Sequence, residues 1–241
     1  MTPFPSLPPN PALLLDFDGT LVDIAATPDA VRVDPELPAL LDRLLRELGG
    51  AIAVVSGRPL ADIDHFLAPH RLIAYGLHGL EHRDEPAGEV QRAETPDAVA
   101  RAKREVQDLG LIGGGVMFED KGPAFAVHYR AAPERGAQIR EALTAIASRD
   151  ESLSVICGKA VVEIKPKAVS KGTAVRRIVE LPAFRGRTPV FVGDDVTDED
   201  GFAAVVEHGG VSIKVGEGAT CAQYRLPSVA AVHGWLANIA C

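Results

Sequence analysis

The stretch Ala12-Leu13-Leu14-Leu15-Asp16-Phe17-Asp18-Gly19-Thr20 decides the predicted fold. The run from Ala12 to Phe17 is short, apolar apart from Asp16, and followed by a polar loop, which is typical of a buried strand in a parallel sheet. The carboxylates of Asp16 and Asp18 are costly to desolvate unless a cation compensates them, and a hard divalent ion would do so. A lone Asp-x-Asp can also form a turn or a helix cap, so the rest of the chain must decide.

Strands and helices alternate through most of the chain. Leucines at helical spacing predict a helix that is capped by Asp34, opened by Pro35 and ended by Gly49. Further strands are predicted over residues 51–55, 72–75, 189–192 and 211–215, and further helices from about residues 59, 170 and 197. This alternation implies parallel crossovers, and therefore an α/β fold with a doubly wound parallel sheet covered on both faces.

The stretch from about residue 83 to 164 has a different pattern. Two helices are marked by Val99, Ala102, Val106 and Leu109, and by Ile139, Leu143 and Ile146, and two hairpins turn at Lys121-Gly122-Pro123 and near Gly158. This αββαββ order predicts an α+β unit, an antiparallel sheet with its helices on one face. We therefore expect a catalytic core formed by residues 1–82 and 165–241, with residues 83–164 inserted as a cap.

Composition narrows the possible classes of function. The chain has 241 residues, of which 46% are hydrophobic and 24% charged, as in ordinary globular proteins. It has neither an apolar run of the roughly 20 residues that a membrane span needs nor the features of a signal peptide. The net charge of −8 disfavours nucleic-acid binding. We expect a monomer without membrane or nucleic-acid partners.

Two smaller features complete this picture. Cys157, Cys221 and Cys241 give neither a disulfide framework nor metal-ligand spacing, which suits a reducing compartment, so we expect a cytoplasmic protein. Five prolines among the first eleven residues predict an irregular N-terminal tail.

Other polar segments lie where a doubly wound sheet binds ligands, beyond the carboxyl ends of its strands. Ser56-Gly57-Arg58 offers a hydroxyl and main-chain amides at a helix N-terminus, a ready phosphate site, although Ser-Gly before proline is also ordinary turn chemistry. Lys171 lies in the first turn of a helix that Ser170 is predicted to cap, where its charge opposes the helix dipole by ~0.3–1 kcal/mol. A bound anion would explain this lysine, and a solvated surface position is the alternative.

The acidic run Gly193–Asp200 is the last of these segments. Thr197 is the predicted N-cap of a helix, so the acids at 198–200 fall where the helix dipole favours negative charge. Asp194 and Asp195 precede this cap and need another explanation. Together with the carboxylate after the first strand, they would provide the oxygen ligands that Mg²⁺ prefers.

In order and placement, these segments resemble the four motifs of the haloacid dehalogenase (HAD) superfamily of phosphohydrolases. The resemblance implies that Asp16 is the nucleophile, and that Asp18 first protonates the sugar leaving group and then activates water. The implied phosphate ligands are Ser56, Gly57 and Lys171. The implied ligands of Mg²⁺ are Asp16, the main-chain carbonyl of Asp18, and Asp194, with Asp195 or Asp198 as outer support.

Alternation along the cap hairpins separates two faces of its predicted sheet. The side chains expected to pack on the cap helices are Phe125, Val127, Tyr129, Val162 and Ile164. The opposite face, with Glu119 and Lys121 preceding it, carries His128, Arg130, Lys159, Glu163 and Lys165. Such a face can simply be solvated, or it can close over the core and hydrogen-bond a polyhydroxylated substrate.

The cap and its flanks resemble the trehalose-6-phosphate phosphatase family in particular. The matching segments are Gly76-Leu77-His78-Gly79-Leu80-Glu81, Glu119 to Gly122, His128-Tyr129-Arg130, Val162 to Pro166, Lys171-Gly172 and Gly193 to Asp200. The resemblance implies a small sugar phosphate, trehalose 6-phosphate, as the substrate. The implied contacts of the distal glucose are Glu119, Lys121, Arg130, Lys159 and Glu163. His78 either lies near the site or is an ordinary loop histidine.

Two other functions remain open at the level of sequence. A phosphatase of the same architecture could act on sucrose phosphate or glucosylglycerol phosphate, because only cap contacts separate these substrates. A signalling module could merely store phosphate on Asp16. The inserted cap and the second carboxylate, Asp18, speak against storage, because a base beside a phospho-aspartate promotes its hydrolysis.

Overall fold

A computed structural model describes residues 7–25 and 30–239 of the chain. The strands are β1 (Pro11–Leu15), β2 (Ile52–Val55), β3 (Ile73–Gly76), β4 (Glu81–Arg83), β5 (Gln91–Arg92), β6 (Met117–Asp120), β7 (Phe125–His128), β8 (Leu153–Gly158), β9 (Val161–Pro166), β10 (Thr188–Gly193), β11 (Val211–Val215) and β12 (Tyr224–Leu226). The helices are α1 (Leu37–Glu47), α2 (Leu60–Leu67), α3 (Asp97–Asp108), α4 (Gly136–Ala147), α5 (Lys171–Ile178), α6 (Glu199–Glu207) and α7 (Val229–Ile239). These elements form two compact units, Met1–Gln91 with Ser170–Cys241, and Arg92–Val169.

The first unit is built on a mainly parallel sheet of order β12-β11-β10-β1-β2-β3-β4-β5. All pairs from β12 to β3 are parallel, and β4 pairs with β3 in the antiparallel sense. β1 lies near the centre, and its leucines are fully buried because helices cover the sheet, with α1 packed on α7 and α5 on α6. The predicted α/β architecture is confirmed.

Two predicted helix starts can be compared with the structure. α1 begins at Leu37 and not at Pro35, because Asp34 Oδ1 accepts a hydrogen bond from the Glu36 amide and closes a turn first. α5 begins as predicted, with Ser170 and Thr173 forming reciprocal side-chain to main-chain hydrogen bonds, a capping box. The orientation of Lys171, the next residue, is therefore set by a well-defined helix start.

The second unit has the predicted αββαββ order, with an antiparallel sheet of order β6-β7-β9-β8 and the helices α3 and α4. The core between the helices and the sheet contains the residues predicted for its apolar face, Phe125, Val127, Tyr129, Val162 and Ile164. Leu109 differs from the prediction, because it follows the end of α3 and is 52% exposed.

The compact units divide at Gln91 and Val169, later in the chain than the predicted boundaries at 82 and 164. The reason at the first boundary is β4, whose residues pair with β3 and extend the larger sheet. The second unit ends later because β9 continues to Pro166 and the Lys167 amide still bonds to the Ser152 carbonyl.

Some predictions concern residues beyond the described ranges. Most of the proline-rich tail, and Cys241, lie there. Among the described helices, none has both the length and the apolar character that crossing a membrane requires.

Candidate active site

Three neighbouring strands of the first unit end at one edge of the sheet. β1 lies between β2 and β10, with Leu15 paired to Val54 on one side and to Val192 on the other. The main-chain amide of Asp16 continues this ladder by donating to the Val192 carbonyl at 2.9 Å. The segments that follow β1, β2 and β10 therefore start side by side, and they carry all of the predicted site residues of the first unit except Lys171.

Lys171 joins two of these segments through its ammonium group. Its Nζ lies 2.7 Å from Asp16 Oδ1 and 2.7 Å from Asp198 Oδ1, and all three residues are buried. Burial lowers the pKa of Lys171, but the charges of Asp16 and Asp198 outweigh this effect and raise it overall. The alternative of a solvated surface lysine is wrong.

Asp198 has a larger part in the site than the sequence indicated. Its Oδ2 accepts hydrogen bonds from the amides of Asp194 and Asp195, at 3.0 and 2.9 Å, while its Oδ1 binds the lysine. The prediction of an N-cap at Thr197 is wrong, because Thr197 lies inside a 3₁₀ turn over Val196–Asp198 that Asp195 caps, and Asp198 is the residue before α6. The buried carboxylate of Asp198 thus organises the acidic run.

Oxygen atoms of Asp16, Asp194 and Asp198 all lie within 4.8 Å of one another. Burial, followed by the charge of Asp198, raises the pKa of Asp16 well above its usual value, although Lys171 opposes the shift. Burial and the same neighbouring charge raise the pKa of Asp194 to about 6. One ammonium group does not balance three clustered carboxylates, so the cluster suits a divalent cation with oxygen ligands.

Asp194 packs directly against the loop that follows β1. Gly19 has a positive φ of +76°, and its amide donates to the Val22 carbonyl at 2.7 Å. A Cβ atom at this position would lie 2.1 Å from Asp194 Oδ2. The absence of a side chain at Gly19 therefore lets the two metal-ligand candidates after β1 and β10 approach each other.

The carboxylate of Asp18 binds Arg58, whereas that of Asp16 binds Lys171. Its two carboxylate oxygens accept from Arg58, with Nε to Oδ2 at 2.6 Å and Nη2 to Oδ1 at 2.8 Å. Burial lowers the pKa of the Arg58 guanidinium, but the hydrogen bond and charge of Asp18 raise it more. The guanidinium also lies over the rings of Phe17 and Phe66, with its Cζ 5.8 and 5.1 Å from their centroids.

The predicted phosphate loop, Ser56-Gly57-Arg58, is held by a strained turn. Leu77 and His78, both non-glycine, have positive φ values of 50° and 60°. Their amides donate to the carbonyls of Arg58 and Ser56, each at 2.9 Å. Such backbone costs of order 1–3 kcal/mol per residue and is concentrated at functional sites.

The same turn places the imidazole ring of His78 next to the predicted phosphate loop. A Cβ atom on Gly57 would lie 3.0 Å from two atoms of its imidazole ring, so His78 is beside the loop. Glu81, at the start of β4, accepts from the Leu60 amide at 2.9 Å and caps α2, since Pro59 offers no capping side chain.

In the second unit, two predicted sugar ligands flank a small residue. Glu119 and Glu163 both lie opposite Ala126, one on each side of β7. Lys121 Nζ is 2.7 Å from Glu163 Oε2 and 3.9 Å from Glu119 Oε2, and His128 Nε2 is 2.7 Å from the same Glu119 oxygen. The His128 hydrogen bond is the main cause of the lowered pKa of Glu119, which burial opposes.

Exposure divides this polar face into two parts. Glu163 is only 7% exposed and the Lys121 side chain 11%, so a simple solvated surface does not describe them. Arg130 and Lys159 are exposed. Lys165 is buried, and its Nζ donates to the main-chain carbonyl of Val169, which makes it a structural lysine at the end of the unit.

The predicted site residues thus fall into two groups. Asp16, Asp18, Ser56, Gly57, Lys171 and Asp194 belong to the first unit, and Glu119, Lys121, Arg130, Lys159 and Glu163 to the second. Sequence reasoning missed Lys214, which is buried on β11 and donates to the Asp194 carbonyl and, at 2.8 Å, to that of Val215. A lysine inside the predicted buried strand Val211–Val215 was the available signal.

Comparison with known proteins gives one consistent result. A sequence model of the trehalose-phosphatase family matches residues 14–230. A probable trehalose-phosphate phosphatase of Sinorhizobium fredii is 42% identical over 96% of this chain and 88% of its own length. The trehalose-6-phosphate phosphatase of Escherichia coli is 41% identical over 99% of this chain and 90% of its own.

A solved structure shares the fold. The C-terminal domain of the Candida albicans trehalose-6-phosphate phosphatase superposes with a TM-score of 0.84 at 24% identity, covering 95% of this chain and 92% of that domain. The family resemblance inferred from the sequence is confirmed by these matches.

Proposed function

This chain belongs to the trehalose-phosphatase family, and on that premise we propose that it hydrolyses trehalose 6-phosphate to trehalose and inorganic phosphate, in trehalose biosynthesis. One observation carries the proposal. Asp16, at the end of the central strand, shares the ammonium group of Lys171 with Asp198, inside a cluster of three carboxylates of which two are buried and that of Asp194 is partly buried. This arrangement suits a carboxylate nucleophile that attacks phosphorus beside a divalent cation.

Asp16 is the proposed nucleophile, and it must be ionised to attack. Burial and Asp198 raise its pKa, which favours the neutral form, whereas Lys171 favours the carboxylate. Mg²⁺ is the proposed ion for the oxygen ligands of Asp16, Asp194 and the Asp18 carbonyl. When bound, it would supply positive charge to both the carboxylates and the phosphoryl oxygens.

The remaining core residues hold the transferred group and move protons. We assign Ser56, Gly57 and Lys171 to the phosphoryl oxygens, because a hydroxyl, main-chain amides and an ammonium group neutralise developing charge. Asp18 is the proposed acid for the sugar oxygen and then the base for water. Phosphate monoesters hydrolyse so slowly unaided, with accelerations up to ~10²¹, that such positioning is required.

The distal glucose is the proposed ligand of the second unit. Glu119 and Glu163 lie on the two strands that flank Ala126. Lys121 joins the two carboxylates, and Arg130 and Lys159 are exposed donors. Fixed acceptors and donors of this kind match the hydroxyl groups of a sugar.

The compartment and the assembly state are also proposals. Cys157 and Cys221 are free and exposed, which suits the reducing cytoplasm. We propose a monomer that binds only small molecules, since the net charge of −8 disfavours nucleic acid.

The decisive test is phosphate release from a panel of sugar phosphates, with and without Mg²⁺. We expect many turnovers per protein molecule on trehalose 6-phosphate and much slower release from sucrose 6-phosphate and glucosylglycerol phosphate. Preference for either of the latter would identify a different sugar phosphatase. Release of at most one phosphate per protein would instead indicate storage on Asp16.

A further inference from the structure

Arg58 binds the carboxylate of Asp18 through two hydrogen bonds, in a bidentate contact. The contacts, 2.6 Å from Nε to Oδ2 and 2.8 Å from Nη2 to Oδ1, occupy both oxygens of Asp18 in the fork geometry specific to arginine. The side chain of Asp18 remains 34% exposed, whereas that of Arg58 is 11% exposed. The cation is thus the anchored partner, and the carboxylate is the one that solvent and substrate can reach.

Contacts on several sides fix the guanidinium. Its Cζ lies over the rings of Phe17 and Phe66, which stack on each other with their centroids 5.8 Å apart. The main chain of Arg58 is held at both ends, by its amide donating to Ser56 Oγ at 3.2 Å and by its carbonyl accepting from Leu77. These supports hold the guanidinium in one orientation, independently of Asp18.

The bidentate contact with Arg58 restricts the rotation of the Asp18 carboxylate but leaves some of its acceptor positions free. A carboxylate offers about four acceptor positions, two on each oxygen, and the fork occupies one on each. The other positions stay available for a proton, while rotation of the carboxylate is prevented. We propose that Arg58 is a positioning residue, which holds Asp18 in the orientation that exchanges a proton with the leaving oxygen and then with water. This inference rests on the proposed function.

The two steps balance as follows. In the first, a bond forms between Asp16 and phosphorus, the bond between phosphorus and the sugar oxygen breaks, and the proton of Asp18 moves to that oxygen. In the second, water attacks phosphorus and gives a proton to Asp18. The bond between Asp16 and phosphorus breaks, so that phosphate is released and the carboxylate of Asp16 is restored. Arg58 forms and breaks no covalent bond in either step.

A positioning role for Arg58 has a signature that a structural role lacks. A sugar hydroxyl is a poor leaving group and needs the proton of Asp18, whereas p-nitrophenolate leaves as a stable anion without one. Misplacing Asp18 should therefore slow the first step on trehalose 6-phosphate far more than on p-nitrophenyl phosphate. General damage to the site would slow the two substrates equally.

The test compares kcat/KM on both substrates, in saturating Mg²⁺, for the native protein and the Arg58→Lys variant, because kcat/KM reports the steps up to release of the leaving group and not the later hydrolysis of the phospho-enzyme. Lysine keeps the charge but cannot bind both oxygens at once. We expect kcat/KM on trehalose 6-phosphate to fall about 10²-fold, within the range of general acid catalysis, and kcat/KM on the aryl phosphate to fall less than about 10-fold. Arg176→Lys is the matched control, because Arg176 also binds a carboxylate through Nε and Nη2, both to Glu207 Oε2, on the surface of the same unit. It should leave both rates unchanged.

Equal losses on the two substrates, or no loss on either, would overturn the positioning role. Phe66→Leu provides a second variant, which removes one ring beneath the guanidinium and leaves the ion pair. It should show a weaker form of the same substrate difference, and it decides the question if Arg58→Lys does not fold. A native protein inactive on trehalose 6-phosphate would refute the proposed function, whereas an active one with equal losses in the variants would refute only the role of Arg58.

Discussion

The carboxylate of Asp194 occupies the space that a side chain at Gly19 would need. A Cβ atom at position 19 would lie 2.1 Å from Asp194 Oδ2 and 2.3 Å from its Cγ, and the backbone there has a φ of +76°. Two segments that follow different strands thus approach closely where the carboxylates of Asp16, Asp194 and Asp198 cluster. A single added methyl group should therefore disturb the proposed metal site.

We expect Gly19→Ala to lower kcat/KM by about 10²-fold or more, because the methyl group must displace a proposed metal ligand and 1 Å errors are costly in catalysis. Gly186→Ala is the matched control, since Gly186 has a φ of +77° with nothing within 4 Å of its added Cβ. Both variants should lose about 1–2 kcal/mol of stability from the positive φ, but only Gly19→Ala should lose activity. Equal activities in the two variants would show that Asp194 tolerates displacement.

Asp16→Asn tests the nucleophile. The amide cannot form the phospho-enzyme, so turnover should fall by a factor on the order of 10⁴ or more. The fold should survive, because Lys171 keeps Asp198 as a partner at 2.7 Å and a neutral side chain removes repulsion between carboxylates. The measurements are phosphate release and a thermal melt, and a melting temperature within about 4 °C of the native value is expected. A variant that still turns over at a tenth of the native rate would contradict the assignment.

Much of the fold was predictable because its signals are local. The leucines of α1 and the alternating residues of the cap hairpins show their buried faces over a few turns or strands. β12 was missed because Tyr224–Leu226 is too short to show alternation. β4 was missed for another reason, since its polar residues are buried only by partners elsewhere, as Arg83 is by its paired bonds to Asp64 at 2.7 Å.

The candidate site shows the same limit. Its motifs could be placed at strand ends from the sequence, because the carboxyl ends of parallel strands share one edge. The pairing of Arg58 with Asp18 spans 40 residues and that of Lys171 with Asp198 spans 27, so no local pattern reveals either one. The predicted N-cap at Thr197 failed because Thr197 lies inside a 3₁₀ turn, Val196–Asp198, whose start is held by hydrogen bonds from the amides of Asp194 and Asp195 to the buried Asp198.

Metal binding can be tested without reference to activity. Since Asp16, Asp194 and Asp198 gather oxygen atoms within 4.8 Å, Mg²⁺ should stabilise the fold, by about 2.7 kcal/mol at 100 times its Kd. The increase in melting temperature should disappear in excess chelator and shrink strongly in Asp194→Asn. Asp200→Asn is the control, because it removes an exposed acid of the same run and should keep the increase. If Mg²⁺ does not change the melting temperature of the native protein, the proposal that these carboxylates bind the ion is wrong.

Glu163→Ala tests whether the polar face of the second unit recognises the sugar. Glu163 is buried, binds Lys121 at 2.7 Å and lies across Ala126 from Glu119, so its loss should disorganise the proposed glucose ligands together. We expect kcat/KM on trehalose 6-phosphate to fall about 10²-fold or more, because a buried polar group left without its partner costs about 1–3 kcal/mol and a sugar contact is lost as well. An aryl phosphate has no distal glucose, so its hydrolysis should change less than about threefold.

The matched control for that experiment is Glu105→Ala in the same unit. Glu105 is a half-exposed residue of α3 whose partner, Arg149, also lies on the surface, so neither substrate should be affected. Glu163→Ala also leaves the ammonium group of Lys121, whose side chain is only 11% exposed, without this partner, which lowers the stability of the fold. The assays should therefore run well below the melting temperature. If Glu163→Ala slows both substrates equally, destabilisation explains the loss, and the polar face of the second unit does not select the substrate.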